Sequence, residues 1–322
     1  MLFSGGLDSR LVIKILEEQG IGVIALHFIL PFGIGCCADI SCVFKFSQVE
    51  GVPLKFIDCR KGRLFKKYLE VIKKPKFGYG SGMNPCIDCR IFMLKKAKAM
   101  IKKLEADFIA TGEVLGERPM SQTGKALKLI EKETGLFGKI LRPLSAKLLP
   151  ETKAEKKKIV DREKLLAISG RRRLPQIELA KKYSLKNYPQ PAGGCLLTDK
   201  EFAKRLKTML EKFKDLDEND AEILKLGRHF WVDKNLIVVG RNHQENLKIK
   251  NLAKKGDLLI ELKDTPGPTS LIRMCPFVKA FEYRYSDAKI SKKIIGKAKD
   301  LTKKYSKKSK GPKKINFIIN KK

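Results

Sequence analysis

Acidic residues are scarce in this chain. Its 322 residues include 35 Asp and Glu against 69 Lys and Arg, which gives a formal net charge of +34. A surplus of this size exceeds what solubility requires and indicates a polyanionic partner. The basic residues are spread along the chain instead of flanking an apolar helix, which favours nucleic acid over a membrane. A lysine-rich thermophilic composition is the alternative, but a balanced enrichment in Lys and Glu would fit it better.

A long apolar segment and a secretory signal are also lacking. The uncharged stretch at residues 19–38 contains several glycines, a histidine and a proline, so we interpret its centre as a buried strand and expect no membrane span. Residues 1–4 run directly into a loop with functional character, so we expect a cytoplasmic chain. In that compartment, the eight cysteines favour metal or redox chemistry over disulfides.

The first 200 residues alternate short apolar runs with amphipathic stretches, which is typical of a parallel sheet covered by helices. We predict helices at 8–19 and 89–103, and strands at 22–28, 52–58 and 106–111. The apolar run at the start is short, so we expect its strand to begin upstream of Met1. The predicted fold class is α/β, with a Rossmann-like parallel-sheet domain over residues 1–200.

The pattern changes in the second half of the chain. A charged, helical stretch at 150–186 includes Arg171-Arg172-Arg173, and short strands are then predicted at 230–232, 236–239, 258–261 and 270–272. We therefore predict a smaller, basic α+β domain over residues 201–322. We expect its lysine-rich tail, from Ser286 onward, to be partly disordered, although residues 315–319 are apolar enough to pack.

The segment Ser4-Gly5-Gly6-Leu7-Asp8-Ser9 lies between a predicted strand and a predicted helix. Backbone N–H groups in such a turn, together with the helix N-terminus, can hold an anion. Asp8 offers a carboxylate to Mg²⁺, and Ser4 and Ser9 offer hydroxyls to phosphate. The GxxxxGK[ST] loop and the GxGxxG fingerprint are absent, which excludes those two nucleotide motifs. An ordinary capped turn is the alternative, and the placement after a strand argues against it.

This segment resembles the pyrophosphatase (PP) loop of ATP-dependent enzymes that adenylate a substrate and release pyrophosphate. The resemblance implies an adenine-nucleotide alpha-hydrolase-like fold, with ATP at the carboxyl edge of the sheet. It also implies phosphate contacts from the loop residues Ser4, Gly5, Gly6, Asp8 and Ser9. By the same analogy, His27 and Phe28 would lie near the adenine.

Three cysteines are candidates for sulfur chemistry. Cys86 and Cys89 form a CxxC at the start of a predicted helix, where thiolates have lowered pKa values, and Cys195 follows a Gly-Gly turn. Three thiolates could hold a [4Fe–4S] or [3Fe–4S] cluster with one open iron. A persulfide and a resolving cysteine are the second interpretation. A zinc site, which normally requires four ligands, and inert buried thiols are the others.

The remaining cysteines carry weaker signals. We interpret Cys36, Cys37 and Cys42 as small apolar residues, with a fourth ligand or a sulfur relay as the alternative. Cys59 ends a predicted strand and Cys275 lies in the second domain, so we interpret both as structural.

Four motifs in residues 1–200 extend the resemblance, and they are the segments 86–93, 110–116, 121–123 and 141–144. They closely resemble the catalytic domain of tRNA 4-thiouridine synthases, and Asn84-Pro85 and the Gly194-Cys195 turn are similar to tRNA 2-thiouridylases. The resemblance implies that Gly112, Glu113 and Gln122 shape the nucleotide site. In the cluster-containing members, the cysteines that match Cys86, Cys89 and Cys195 hold iron and sulfur.

The second half resembles the NFACT-type RNA-binding domain through short motifs at 230–232, 238–242, 246 and 264–269. The resemblance implies RNA binding. Four cations could contact phosphates, namely Arg228, Arg241, Lys263 and Arg273. Four aromatic residues could stack on unpaired bases or lie in the core, namely Phe277, Phe281, Tyr283 and Tyr285.

Together these features predict ATP-dependent thiolation of tRNA. The enzyme would adenylate a uridine carbonyl with ATP and Mg²⁺, then replace its oxygen with sulfur carried by an iron–sulfur cluster or a persulfide. Asp8, Cys89 and Cys195 are the predicted catalytic residues, and the sulfur donor would be sulfide or a cysteine desulfurase-type protein. The alternatives are a PP-loop ligase with a non-tRNA acceptor and an inactive RNA-binding protein.

Overall fold

The computed structural model describes residues 1–34, 40–188, 194–213, 215–274, 291–306 and 316–322. The chain divides into two compact units, Met1–Lys200 and Glu201–Lys322. Each unit has its own sheet and its own hydrophobic core. Among the described residues, no helix combines the length and the apolar composition that crossing a bilayer requires.

A parallel sheet forms the centre of the first unit. Its strands are β1 (Ala25–Ile29), β2 (Leu54–Asp58), β3 (Ile109–Ala110) and β4 (Ile140–Leu141). β1 pairs with β2 and β3 pairs with β4, both in parallel. Leu2 joins the two pairs through parallel bridges to Leu26 and Thr111. The predicted mixture of helix and parallel sheet is confirmed. Residues 4–9, called the phosphate loop from here on, come just after Leu2, the residue that joins the two strand pairs.

Seven helices of the first unit are described. They are α1 (Leu7–Glu17), α2 (Ser41–Glu50), α3 (Gly62–Lys73), α4 (Cys86–Met100), α5 (Gly124–Thr134), α6 (Lys153–Lys156) and α7 (Leu174–Lys182). The predicted helix at 89–103 starts three residues earlier, because Pro85 occupies the N-cap position and the CxxC forms the first turn. The helix α3 was not predicted, although its buried Phe65, Tyr68, Leu69 and Ile72 follow helical spacing.

α7 lies beside α1 and runs in the same direction. Arg173, which precedes α7, is 3.3 Å from the carboxylate of Asp8 in the first turn of α1. At the other end, the Tyr183 hydroxyl donates a 2.6 Å hydrogen bond to Glu18. The first turns of both helices therefore meet at the phosphate loop.

The second unit contains a five-stranded antiparallel sheet in the order β5-β6-β8-β7-β9. The strands are β5 (Arg228–Val232), β6 (Asn235–Val239), β7 (Leu258–Leu262), β8 (Ser270–Arg273) and β9 (Phe317–Lys321). The described helices are α8 (Lys200–Lys212), α9 (Glu218–Ile223), α10 (His243–Leu252) and α11 (Lys292–Lys304). α11 covers the sheet with Ile294, Ala298 and Leu301. It lies within the tail that we predicted to be partly disordered, and the sequence analysis did not predict this helix.

One predicted RNA contact in this unit is wrong. Arg273 is fully buried and forms ion pairs with Asp220 at 2.9 Å and with Asp257 at 2.8 Å. It also donates to the Leu252 carbonyl at 2.8 Å. These acceptors satisfy the guanidinium inside the core, so it cannot reach a phosphate. The aromatic residues Phe277, Phe281, Tyr283 and Tyr285 lie outside the described residues, as does Cys275.

The stability of the second unit should fall as pH decreases from 6.5 to 4. Burial lowers the pKa of His229 from its ordinary 6.5 to about 4, so the unfolded state takes up the proton first. The contribution of neutral His229 to stability is therefore fully present above pH 6.5. It declines on acidification until the folded state is also protonated, at about pH 4. The total loss is about 3 kcal/mol at 1.4 kcal/mol per pKa unit.

Urea unfolding followed by tryptophan fluorescence measures this loss, because the single tryptophan, Trp231, lies in the same strand as His229. His229→Gln should flatten the pH profile. The matched control is His243→Gln, at an exposed position at the start of α10. A wild-type profile that is flat between pH 4 and 6.5 would contradict the prediction.

Candidate active site

The phosphate loop is closed by short contacts between its own residues. Gly5 has a φ of +80°, a left-handed conformation that glycine adopts without steric cost. The Ser9 hydroxyl donates to the Gly6 carbonyl at 2.8 Å and lies 3.3 Å from the Ser4 hydroxyl. Gly6 is the N-cap of α1 and provides no side-chain acceptor. The loop therefore brings two hydroxyls to a helix start whose first N–H groups have no side-chain cap.

Asp8 lies in the first turn of α1 and has one unused oxygen. Its Oδ2 contacts Arg173 at 3.3 Å, whereas its Oδ1 is buried and accepts no hydrogen bond from any described residue. Burial raises the pKa of Asp8, and Arg173 and Arg118 only partly offset that effect. A carboxylate oxygen of this kind fits a hard divalent cation such as Mg²⁺.

The loop after β3 packs directly on the phosphate loop. A Cβ atom on Gly112 would lie only 2.8 Å from the backbone nitrogen of Ser9, so this approach requires glycine. Gln122 is buried, and its side chain accepts from the backbone N–H of Arg118 at 3.1 Å while its carbonyl accepts from Gly116 at 2.8 Å. Gln122 thus holds the loop in shape from within.

His27 and Phe28 are both buried in β1. His27 Nδ1 lies 2.9 Å from the Phe3 carbonyl, which ties this strand to the residue that precedes the phosphate loop. The structure therefore gives His27 a role in holding the loop, and its predicted proximity to adenine stays a prediction.

Glu113 lies at the centre of a buried chain of charges. It pairs with Arg90 at 2.9 Å and Arg142 at 3.0 Å, and Arg142 continues to Glu131 at 2.5 Å. Burial by itself would raise the pKa of Glu113, but the two arginines outweigh this and lower it. Arg90 belongs to α4 and Arg142 follows β4, so Glu113 clamps the CxxC helix to the sheet.

Replacing Glu113 with glutamine should therefore destabilise the first unit by about 3 kcal/mol, because the buried Arg142 and the half-buried Arg90 would lose their shared counter-charge. Thermal and urea unfolding followed by circular dichroism measure the change. Glu133→Gln is the control, since Glu133 pairs at 2.9 Å with a largely exposed lysine, Lys76, and its loss should have little effect. Equal effects of the two substitutions would show that the buried chain contributes no special stability.

Cys86 and Cys89 occupy the first turn of α4 and have different neighbours. Asn84 Nδ2 donates to Cys86 Sγ at 3.1 Å, and Tyr68 Oη lies 3.4 Å from Cys89 Sγ. Cys195 is joined by an antiparallel bridge to Gly33, in the segment after β1. Burial raises the pKa of Tyr68, and Cys89 and then Cys195 raise it further. Cys89 and Cys195 are therefore both within electrostatic range of one buried hydroxyl.

The three cysteines do not fit a ready cluster site in this arrangement. Within the described ranges, no group of three or more His, Cys, Asp or Glu side chains is placed to hold one metal ion. Cys42 accepts from Arg10 Nη2 at 3.0 Å, and burial raises the pKa of Cys59 to about 12, which fits the structural role predicted for it. Cys36 and Cys37 lie outside the described residues.

Tyr68, Arg90 and Arg173 are site residues that the sequence analysis did not identify. Arg90 directly follows the CxxC, and Arg173 belongs to a run of arginines that was noted only as part of a charged, helical stretch. Tyr68 carried no signal beyond its place in an amphipathic segment. Cys89, the partner of Tyr68, is 21 residues away in the chain, and Asp8, the partner of Arg173, is 165 residues away. Local sequence patterns therefore did not reveal these two contacts.

Comparison with known proteins finds a matching family model and several similar curated proteins. Residues 1–161 match the family model described as thiamine biosynthesis protein (ThiI). The tRNA-specific 2-thiouridylase MnmA of Picosynechococcus sp. is 29% identical over an alignment of 241 residues, and the match covers 69% of this chain and 60% of that protein. The MnmA of Thermosynechococcus vestitus is 33% identical over 117 residues, 34% of this chain and 30% of that protein.

Among solved structures, the C-terminal part of the fibronectin/fibrinogen-binding protein from Streptococcus suis is 14% identical. The match covers 81% of this chain and 85% of that chain, with a TM-score of 0.23. A TM-score this low supports no structural argument.

The chain spans between three tenths and three fifths of the length of these two curated relatives. The family-model match covers half of the 322 residues and includes the phosphate loop, the CxxC and Glu113. The predicted resemblance to PP-loop tRNA thiolation enzymes is confirmed, and the chain belongs to the ThiI family.

Proposed function

We propose that this protein is an ATP-dependent tRNA sulfurtransferase, which adenylates a uridine carbonyl and replaces its oxygen with sulfur. One observation supports the proposal above all. Gly112 packs on Ser9 of the phosphate loop, and the next residue, Glu113, pairs at 2.9 Å with Arg90, which follows Cys89. A continuous set of contacts thus joins the loop for nucleotide activation to the helix for sulfur chemistry.

In the first step, the uridine carbonyl oxygen attacks the α-phosphorus of ATP, and the bond to pyrophosphate breaks. The hydroxyls of Ser4 and Ser9 and the first N–H groups of α1 would bind the phosphates. Asp8 would hold Mg²⁺, which when bound offsets the negative charge that develops on the phosphates. The base then carries AMP on its oxygen, which makes that oxygen a good leaving group.

For the second step, the described arrangement favours a persulfide on Cys89 or Cys195 over a cluster. The terminal sulfur attacks the adenylated carbon, and AMP leaves. The thiolate of the other cysteine then attacks the sulfur of the first, which releases the thiocarbonyl and leaves a disulfide between the two cysteines. A persulfide-carrying protein of the cysteine desulfurase type would supply the sulfur, and a thiol reductant would restore the cysteines.

Tyr68 supports this role for Cys89. Because its pKa is raised by burial and by the two cysteines, its phenol stays protonated. From 3.4 Å it can donate a hydrogen bond to a Cys89 thiolate, and hydrogen bonds to an anion stabilise it.

Serine variants of the three cysteines separate the two sulfur carriers. A persulfide shared by Cys89 and Cys195 predicts that Cys86→Ser retains thiolation, whereas a three-cysteine cluster predicts that each of the three variants loses it. Iron and sulfide content of the anaerobically purified wild type is the second readout. Thiolation by an iron-free protein would exclude the cluster, and loss of iron in all three variants would exclude the persulfide route.

We further propose that the second unit binds the tRNA. Arg241, with 44% of its side chain exposed, and Arg228, 4.5 Å above the Tyr305 ring, lie at one end of its sheet. Cationic side chains bind phosphates, and aromatic rings stack on unpaired bases, so a surface with both is suited to RNA. Fluorescence anisotropy with labelled tRNA should show weaker binding by Arg241→Gln and a steep loss of affinity with salt.

Mass spectrometry of tRNA nucleosides tests the whole proposal. The nucleosides of a strain that lacks the gene are compared with those of the same strain carrying the wild-type gene or the Cys89→Ser gene. We expect one thiolated uridine to disappear and only the wild-type gene to restore it. An unchanged profile would contradict tRNA as the acceptor and favour a ligase that acts on another molecule.

A further inference from the structure

The arginine run at residues 171–173 is fixed beside the phosphate loop by backbone contacts. Ser169 forms a parallel bridge with Leu115, and the Gly170 N–H donates to the Leu115 carbonyl at 2.7 Å. Gly170 has a φ of +83°, and a Cβ atom on Gly116 would lie 3.5 Å from the Gly170 nitrogen. The segment before α7 is thus attached to the loop that carries Gly112 and Glu113.

Arg173 is the member of the run that reaches the phosphate loop. Arg171 and Arg172 are exposed, whereas only 16% of the Arg173 side chain is exposed and its Nη2 contacts Asp8 Oδ2 at 3.3 Å. Arg118 and Glu117, in the loop after β3, are within electrostatic range of the same pair. Two cations and two carboxylates therefore face each other where the phosphates would bind.

The pair between Arg173 and Asp8 is incomplete. Arg173 Nε and Asp8 Oδ1 are both buried, and neither has a hydrogen-bond partner among the residues that the structure describes. A guanidinium that pairs fully with a carboxylate forms two parallel hydrogen bonds, but this pair has one long contact. Unused buried polar atoms are costly, and they indicate groups arranged for a further partner.

A purely structural bridge between α1 and α7 does not account for this geometry. The other ends of the two helices are already joined by Tyr183 and Glu18 at 2.6 Å. The helices also share a hydrophobic core, in which Leu16 of α1 and Ala180 of α7 are buried. The helices therefore have other contacts that hold them together, and the pair at the phosphate loop is free to serve another purpose.

We propose that Arg173 is a positioning residue that exchanges partners: it holds Asp8 in the nucleotide-free protein and moves to the triphosphate when Mg²⁺ takes Asp8. The inference rests on the proposed binding of MgATP by this loop. A divalent cation on the unused Oδ1 of Asp8 would repel the guanidinium that contacts Oδ2 and weaken that contact. The phosphate oxygens then offer the guanidinium new acceptors. Metal alone offers none, so metal and nucleotide should bind cooperatively.

The exchange predicts that removing Arg173 strengthens the binding of metal alone and weakens the binding of MgATP. A purely structural role would not change the two affinities in opposite directions. In Arg173→Gln, Asp8 has lost its competing cation, so Mn²⁺ alone should bind about threefold more tightly. The same variant has lost a ligand for the phosphates, so MgATP should bind about tenfold more weakly. Electron paramagnetic resonance measures Mn²⁺ binding, and calorimetry measures MgATP binding.

Two further variants complete the experiment. Arg172→Gln removes the same charge from an exposed neighbour and should change neither affinity by more than about twofold. Arg173→Lys keeps the charge without the fork of donors, so it should leave Mn²⁺ binding unchanged and weaken MgATP binding about threefold. The lysine variant also serves if the glutamine variant does not fold.

The outcomes distinguish this inference from the function on which it rests. Tighter Mn²⁺ binding with weaker MgATP binding in Arg173→Gln supports the exchange. A loss of both affinities, or no change in either, overturns it and leaves Arg173 as a structural residue. A wild-type protein that binds no MgATP overturns the proposed function as well.

Discussion

Replacing Asp8 with asparagine is expected to reduce the formation of AMP and pyrophosphate by about 10³-fold, which corresponds to about 4 kcal/mol of transition-state stabilisation. Asparagine is neutral and has the same size, so it keeps the shape of the phosphate loop but loses the charge that would hold Mg²⁺. Pyrophosphate release in the presence of tRNA measures the effect. Thiolation should fall by the same factor, because it requires the adenylated base.

The Asp8→Asn protein should fold as well as the wild type. Burial raises the pKa of Asp8, which means that the folded state disfavours its charge. A neutral side chain removes that penalty, so we expect the variant to lose activity without losing its fold. Glu17→Gln, at the opposite end of α1, makes the same change of charge and should leave activity unaltered. Normal pyrophosphate release by Asp8→Asn would refute the role of the loop.

Replacing Cys89 with serine should abolish thiolation and leave adenylation within about threefold of the wild type. A serine hydroxyl cannot carry a transferable sulfur, so the second step has no sulfur carrier. The first step uses the phosphate loop, which the substitution does not touch. The measurements are sulfur incorporation into tRNA and release of pyrophosphate on the same samples.

Cys59→Ala is the matched control for this variant. Cys59 is fully buried, and burial raises its pKa to about 12, so it stays a thiol and cannot act as a nucleophile. Its removal should cost some stability through a small cavity but preserve thiolation. Full thiolation by Cys89→Ser would show that sulfur travels by another cysteine.

Combining the two substitutions tests the order of the steps. If adenylation precedes sulfur transfer, the variant with both Asp8→Asn and Cys89→Ser should match Asp8→Asn alone in pyrophosphate release. A protein with Cys89→Ser should release pyrophosphate without forming thiolated tRNA. If Cys89→Ser releases no pyrophosphate, the sulfur chemistry would have to precede adenylation of the uridine.

The phosphate loop, the CxxC at a helix start and four strands of the second unit could be predicted from short segments. Each depends on residues that are adjacent in the chain, such as the two glycines that shape the turn before Asp8 or the continuous run of apolar residues in β6. The strand position at Leu2 was harder to predict from the sequence, because it consists of a single residue that bridges to Leu26 and Thr111. The helix α11 was not predicted, because its many lysines obscured the helical spacing of Ile294, Ala298 and Leu301.

The amino-acid sequence by itself thus determined the family, and it predicted the chemistry of the two candidate sites and a polyanionic partner. Tertiary structure alone decided the partners of the charges: Arg273 in a core, Glu113 between two arginines, and Arg173 beside Asp8. The physical reason is that a charged side chain looks the same in a sequence whether it is solvated or buried. Only folding brings together residues as far apart as Asp8 and Arg173, and their burial then determines what each charge can do.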